Sequence, residues 1–102
     1  MVKVSITYKD KSLSDLLIKG HANSAPYPHD LVCAAVSAIA VGGMNALEDS
    51  DDYEIEIDEG RVSFHSDIVL SEHDSTVLET MIVMLKTIEV SYKGTIEIKE
   101  RK

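Results

Sequence analysis

The sequence predicts a single α+β domain in which two helices pack on a mostly antiparallel sheet, in the order β-β-α-β-β-α-β. Three observations carry this. The chain is 102 residues long, which allows one modest core and not two, so residues 1–102 are read as one domain. Apolar residues alternate with period two in several short segments and follow a helical period in one long segment. Both prolines, Gly60 and Gly94 fall between these segments and not inside them.

In chain order, Val2, Val4 and Ile6 alternate with Lys3, Ser5 and Thr7, the pattern of a half-buried strand. "YKDKS" turns the chain, and Leu13 to Lys19 reads as a second strand ending at Gly20 and His21. Ala22 to His29 reads as loop and holds Pro26 and Pro28. Proline lacks an N–H and disfavours helix in the residue before it, so a helix is expected to begin no earlier than about Asp30. Asp30 suits the N-cap, where its carboxylate accepts from exposed first-turn N–H groups. The helix then runs from Leu31 to about Leu47. Its small apolar residues, "CAAVSAIAVGG", leave no polar face, and a helix without a polar face is expected to be buried. A small sheet covers one side of it, so a second helix or a second subunit must meet the other. Tyr53, Ile55 and Ile57 alternate with acids, and Val62 and Phe64 continue the alternation after "DEGR". This predicts a hairpin with Gly60 in its turn. Ser71 and Asp74 resemble a capping box. Val77, Leu78, Met81, Ile82, Leu85 and Ile88 mark one face of the second helix, Gly94 ends it, and Ile96 and Ile98 mark a last strand.

Composition narrows the function. Apolar content of 44% and charged content of 27% are ordinary for a soluble globular chain. No segment approaches the roughly 20 apolar residues of a membrane span, and the alternating N-terminus lacks the apolar stretch of a signal peptide. A cytoplasmic protein with no membrane partner is expected. One cysteine excludes an intramolecular disulfide and a multi-cysteine zinc site. Ten basic and eighteen acidic residues give 10 − 18 = −8 at pH 7. That balance disfavours nucleic acid and suits a basic partner. Glu48 to Glu59 carries eight carboxylates and no base; it reads as a solubilising surface first and a docking surface second.

Cys33 is the residue with the most chemistry. With Asp30 as N-cap it is the third helical residue, where unpaired N–H groups and the positive end of the helix dipole favour thiolate and could receive an oxyanion. A positioned imidazole would pair with the sulfur and protonate a leaving group. His21, at a strand end, is the best candidate, and His29 is its rival. Ser37 lies one turn beyond Cys33 on the same face, either donating toward the site or bonding back to the Cys33 carbonyl. Two other readings stay open. Cys33 can be a core filler. A metal could use His21, His29, Asp30 and Cys33, although the spacing matches none of the usual zinc patterns, and neither metal nor cofactor is expected. His65 and His73 read as surface residues.

The stretch Gly20-His21-Ala22, followed by Tyr27 and then by Asp30-Leu31-Val32-Cys33-Ala34-Ala35-Val36-Ser37, resembles the signature of the ribosomal-processing cysteine protease family, Prp. The specific likeness is confined to residues 20 to 38, while length and element order fit over the whole chain. The resemblance implies a cytoplasmic, homodimeric cysteine endopeptidase that removes the N-terminal extension of large-subunit ribosomal protein twenty-seven during ribosome maturation. By matching position it makes His21 and Cys33 the catalytic pair, Asp30 the supporting acid, and Gly20 and Ser37 the rest of the site. Ala22, Asn23, Ser24, Ala25, Pro26, Tyr27, Pro28 and His29 become a loop that closes over substrate. The family commonly has glycine where this chain has Pro28, so a stiffer or differently bent loop is expected here. The rival reading from another class is a ribosome-associated dimeric binding module that holds the protein without cutting it. A weaker rival is another thiol acyl-transfer activity, such as a deamidase.

Overall fold

The computed structural model describes residues 1–20 and 27–102. Its elements are β1 (Val2–Lys9), β2 (Ser12–Lys19), α1 (His29–Asn45), a short 3-10 turn (Ser50–Asp52), β3 (Glu54–Asp58), β4 (Arg61–His65), α2 (Glu72–Ser91) and β5 (Ile96–Arg101). The five strands form one sheet in the order β3-β4-β2-β1-β5. Three neighbouring pairs are antiparallel, and β5 runs parallel to β1. The architecture is the α+β arrangement predicted above, with both helices on one face of a mixed sheet.

Period-two alternation decides which face is covered. Val4 lies opposite Ile18 and Ile6 opposite Leu16. Leu16 faces Phe64, and Val2 faces Ile96. These residues form one cluster with Val32, Val36, Ala40 and Met44 of α1 and with Leu78, Met81, Ile82 and Leu85 of α2. Alternate positions such as Lys3, Ser5, Lys19 and Arg61 stay on the uncovered face, exposed.

Three expectations for α1 are corrected. The helix begins at His29, with Pro28 and not Asp30 at the N-cap position. Proline restrains the residue before it, which leaves the residue after it free to enter a helix, and the Pro28 carbonyl accepts the first ladder bond from Val32 N–H at 3.0 Å. Asp30 instead accepts from Leu31 N–H, 2.8 Å away, inside the first turn. The helix also ends at Asn45, not near Leu47. Nor is α1 buried all round. Its buried stripe is Val32, Val36, Ala40 and Met44, four residues apart, while Leu31, Ala34, Ser37, Ala38 and Gly42 are exposed. The second helix does meet it. At the crossing, a Cβ on Gly43 would run into the fully buried Met81 thioether, so the absence of a side chain there lets the helices close.

Ser71 caps α2, its hydroxyl accepting from Asp74 N–H at 3.1 Å. The reciprocal half of a capping box is absent, because the Asp74 side chain turns into the protein. It accepts from the N–H groups of Glu48 (2.8 Å) and Asp49 (3.2 Å) and from the Tyr53 hydroxyl (2.6 Å), and it is fully buried. Burial alone would raise its pKa, yet these donors together hold the carboxyl below the usual carboxylate range. The Tyr53 hydroxyl is pushed up, by burial first and by Asp74 second, and its ring tilts against Phe64 at 4.9 Å between centroids.

Two outcomes follow. Asp74→Ala strands the Tyr53 hydroxyl and two backbone donors, and is expected to lower unfolding stability by about 2–4 kcal/mol in denaturant titration. Because the folded-state pKa is depressed, this stabilisation is present above the usual carboxylate pKa and is lost as pH falls through the folded value, so the wild-type advantage should shrink in acid. Gly43→Ala is expected to cost about 1–3 kcal/mol by overpacking against Met81, read as a lowered melting temperature.

Candidate active site

Cys33 is the fifth residue of α1 and is half-buried, packed beside the core. It opens onto a cavity of about 360 Å³ at the junction of α1, the end of β2 and the β3–β4 turn. Gly20, Asp30 and Ser37 line the same cavity. Four of the residues selected from sequence therefore meet at one place, three from α1 and Gly20 from the position just after β2.

The position of Cys33 differs from expectation by two residues. With the ladder starting at Val32, the Cys33 N–H belongs inside the helix, and among the described residues the N–H groups of His29, Asp30 and Leu31 have no backbone partner, that of Leu31 donating to the Asp30 carboxylate. A helical side chain leans back over the turn before it, toward residues i−3 and i−4. For Cys33 those are Asp30 and His29, both in that first turn, and Asp30 lines the same cavity. Asp30, expected to cap the helix, serves instead as a first-turn carboxylate at the cavity rim.

Ser37 is exposed, and among the described residues its hydroxyl has no hydrogen-bond partner. Thr80 and Thr87 of α2, by contrast, bond back to carbonyls four residues earlier. The back-bonded alternative for Ser37 is thus not the one observed. Gly20 is fixed by two features. Its φ of +108° suits glycine, and a Cβ there would sit 2.7 Å from the Met1 carbonyl oxygen. Its N–H donates to the Gly60 carbonyl at 2.9 Å, tying the end of β2 to the hairpin turn.

Tyr27, Pro28 and His29 stand at the start of α1 and do not line the cavity; Tyr27 is exposed. His21 and the loop residues Ala22, Asn23, Ser24, Ala25 and Pro26 lie outside the described residues. Sequence reasoning missed the turn Asp58-Glu59-Gly60-Arg61, which forms the wall opposite α1. The signal available was the acidic run ending at Glu59, which had been assigned to the surface without reference to Cys33.

The other histidines have structural roles. His65 Nδ1 lies 2.7 Å from an Asp15 oxygen and Nε2 lies 2.8 Å from one of Asp67. Bonding to Asp15 first, and to Asp67 second, raises its pKa, so its charged-state stabilisation belongs to low pH and fades as pH rises. His73 sits at the C-terminal end of α1, its Nε2 2.9 Å from the Ala46 carbonyl oxygen, and that bond raises its pKa. Among the described residues no group of three or more His, Cys, Asp or Glu is placed to hold a metal ion. Among the described residues no helix is long and apolar enough to cross a membrane.

Comparison with known proteins gives the arrangement a context. The chain is 36% identical over 103 residues to the ribosomal processing cysteine protease Prp of Staphylococcus aureus, covering 96% of this chain and 97% of that one. It is 33% identical over 97 residues to the protein of the same name from Bacillus subtilis, covering 87% of each. A crystal structure of the S. aureus protease with a substrate peptide superimposes with a TM-score of 0.85 at 31% identity, covering 98% of this chain and 99% of that chain. A second, with a covalently linked product peptide, gives 0.83 at 32% identity and the same coverage. A model of the cysteine protease Prp family matches residues 1–97. The chain belongs to the cysteine protease Prp family.

Proposed function

We propose that this chain is a cysteine endopeptidase that removes the N-terminal extension of large-subunit ribosomal protein twenty-seven, with Cys33 as nucleophile and His21 as its acid–base partner. The observation that carries the reading is the opening of Cys33 onto a cavity shared with Gly20, Asp30 and Ser37, in a member of a protease family. The named relatives are ribosomal processing proteases, which supports a ribosomal protein as substrate. A net charge of −8 suits that basic class of protein.

In this reaction the Cys33 sulfur attacks the scissile carbonyl carbon, and the tetrahedral oxyanion is received at the free end of α1. The His21 imidazolium gives its proton to the departing amine. It then takes one from the water that attacks the thioester, releasing the acid product and the thiol. Asp30, one turn before Cys33, supports the charged imidazole, Ser37 donates toward the site, and the segment from Ala22 to His29 closes over the substrate. The protein works in the cytoplasm as a homodimer, a state favoured by the uncharged, partly exposed flank of α1.

Incubating the extended ribosomal protein with the chain, followed by intact-mass analysis, tests this. Cys33→Ala is expected to reduce cleavage by at least about 10³-fold while the melting temperature stays near that of the wild type. Undiminished cleavage by that variant would sink the assignment. Intact substrate held in a stable complex by the wild-type protein would favour the binding-module reading, and an uncut product changed in mass by about one unit would favour a deamidase.

A further inference from the structure

The β3–β4 hairpin joins the Cys33 cavity to an unpaired sheet edge. β3 ends the strand order, and among the described residues no strand pairs with its outer side. It is in regular register with β4 from Glu54 to Asp58, without a bulge, and contains no proline. Such an edge presents a row of backbone donors and acceptors that can accept another strand. Edge strands are commonly blunted by shortness, charge, a kink, a proline or a cover; β3 is short and acidic, which repels a like strand and leaves the edge open to a basic one.

The two faces of β3 differ in chemistry. Glu54, Glu56 and Asp58 pair in register with His65, Ser63 and Arg61 and share the uncovered face of the sheet. Only Glu56 among them has an ion-pair partner among the described residues, Arg61 at 3.2 Å. On the opposite face Ile55 is half-buried and Ile57 is 46% exposed. Beside these two, with Met44, Leu47 and Tyr53, lies a second open cavity of about 360 Å³. The local potential is strongly negative. Asp49, just upstream, has its carboxyl pushed up by partial desolvation first and then by Glu48, Asp74 and Asp52.

We propose that the β3 edge is a docking strand for an extended, basic segment of the substrate, which adds to the sheet beside Glu54–Asp58 and leads into the Cys33 cavity. In an added strand alternate side chains point to opposite faces. One set meets the apolar shelf of Ile55, Ile57 and Leu47; the other meets the carboxylates of Glu54, Glu56 and Asp58. The matching sequence therefore alternates apolar residues with lysine or arginine. Five residues of β3 span about 17 Å, and their Asp58 end is a wall of the cavity, so a docked strand of that length delivers its end to the cysteine. The docking explains why the acidic run lies beside the cavity. It rests on the protease reading only for which bond is then cut.

The test is amide hydrogen exchange on full-length Cys33→Ala protein, with and without a synthetic peptide alternating lysine and valine. Slowed exchange at residues 54–58 that is reversed by high salt is expected, with no slowing from the same peptide carrying glutamate for lysine. Glu54→Lys, which reverses one exposed charge outside the cavity, is expected to weaken binding about three- to tenfold. No slowing at 54–58, equal slowing with the glutamate peptide, or slowing only at Ile96–Arg101 on the opposite edge overturns the proposal. The protease reading is judged separately by cleavage with wild-type protein. Protection of β3 without cleavage rejects that reading alone, and cleavage without protection of β3 rejects the docking alone.

Discussion

One buried carboxylate governs the geometry on which everything else stands. Asp74 lies in the first turn of α2, yet its oxygens hold the backbone just after α1 and the tyrosine just before β3. Through that anchor, the helix carrying Cys33 and the hairpin walling its cavity are both referred to α2. A carboxylate away from water is stable only when its oxygens are met by donors, and here three donors converge on it. The penalty of leaving any of them unmet keeps the connector from Glu48 to Tyr53 in one path. The helix crossing at Gly43 and Met81 fixes the same unit from the other side. The cavity is therefore set by groups that do not line it.

Charge in this molecule is partitioned by place. From Leu31 to its end at Asn45, α1 carries no ionisable group except the thiol. The connector after it, β3 and the first turn residue, Glu59, carry eight carboxylates. The uncovered sheet face mixes signs, and its ion pairs, such as Lys99 with Glu97 at 3.6 Å, are largely solvent-exposed; pairs of this kind add little stability. The surface thus presents a negatively charged edge next to the cavity and a neutral helical flank elsewhere. Such an arrangement orients an incoming chain before any contact is made.

How much of this was legible in the sequence depended on how local the cause was. Strand alternation around Val2, Val4 and Ile6, and the helical stripe from Leu78 to Leu85, are local patterns, and they marked the covered face correctly. Asp30, Cys33 and Ser37 follow from helical spacing around the thiol, while Gly20 joins them only through the family resemblance over residues 20 to 38. The start of α1 was misplaced because a proline's effect on its predecessor was extended to its successor. Asp74 was read as half of a capping box because the local spacing is right; its real partners are about 25 residues away, and no periodicity reveals them. The wall formed by Asp58 to Arg61 was missed for the same reason, since only the sheet order brings β4 next to β2.

The contact between Gly20 and Met1 has a practical corollary. The backbone of the first residue lies against the glycine at the entrance to the loop that precedes α1, and Val2 N–H is tied to the Thr95 carbonyl at 3.0 Å. Any affinity tag or fluorescent fusion joined at the N-terminus would emerge beside that entrance. Because β5 runs parallel to β1, with Arg101 opposite Thr7, the C-terminus leaves the molecule near the far end of β1, about 20 Å away along the strand. Purification handles and reporters belong on that end.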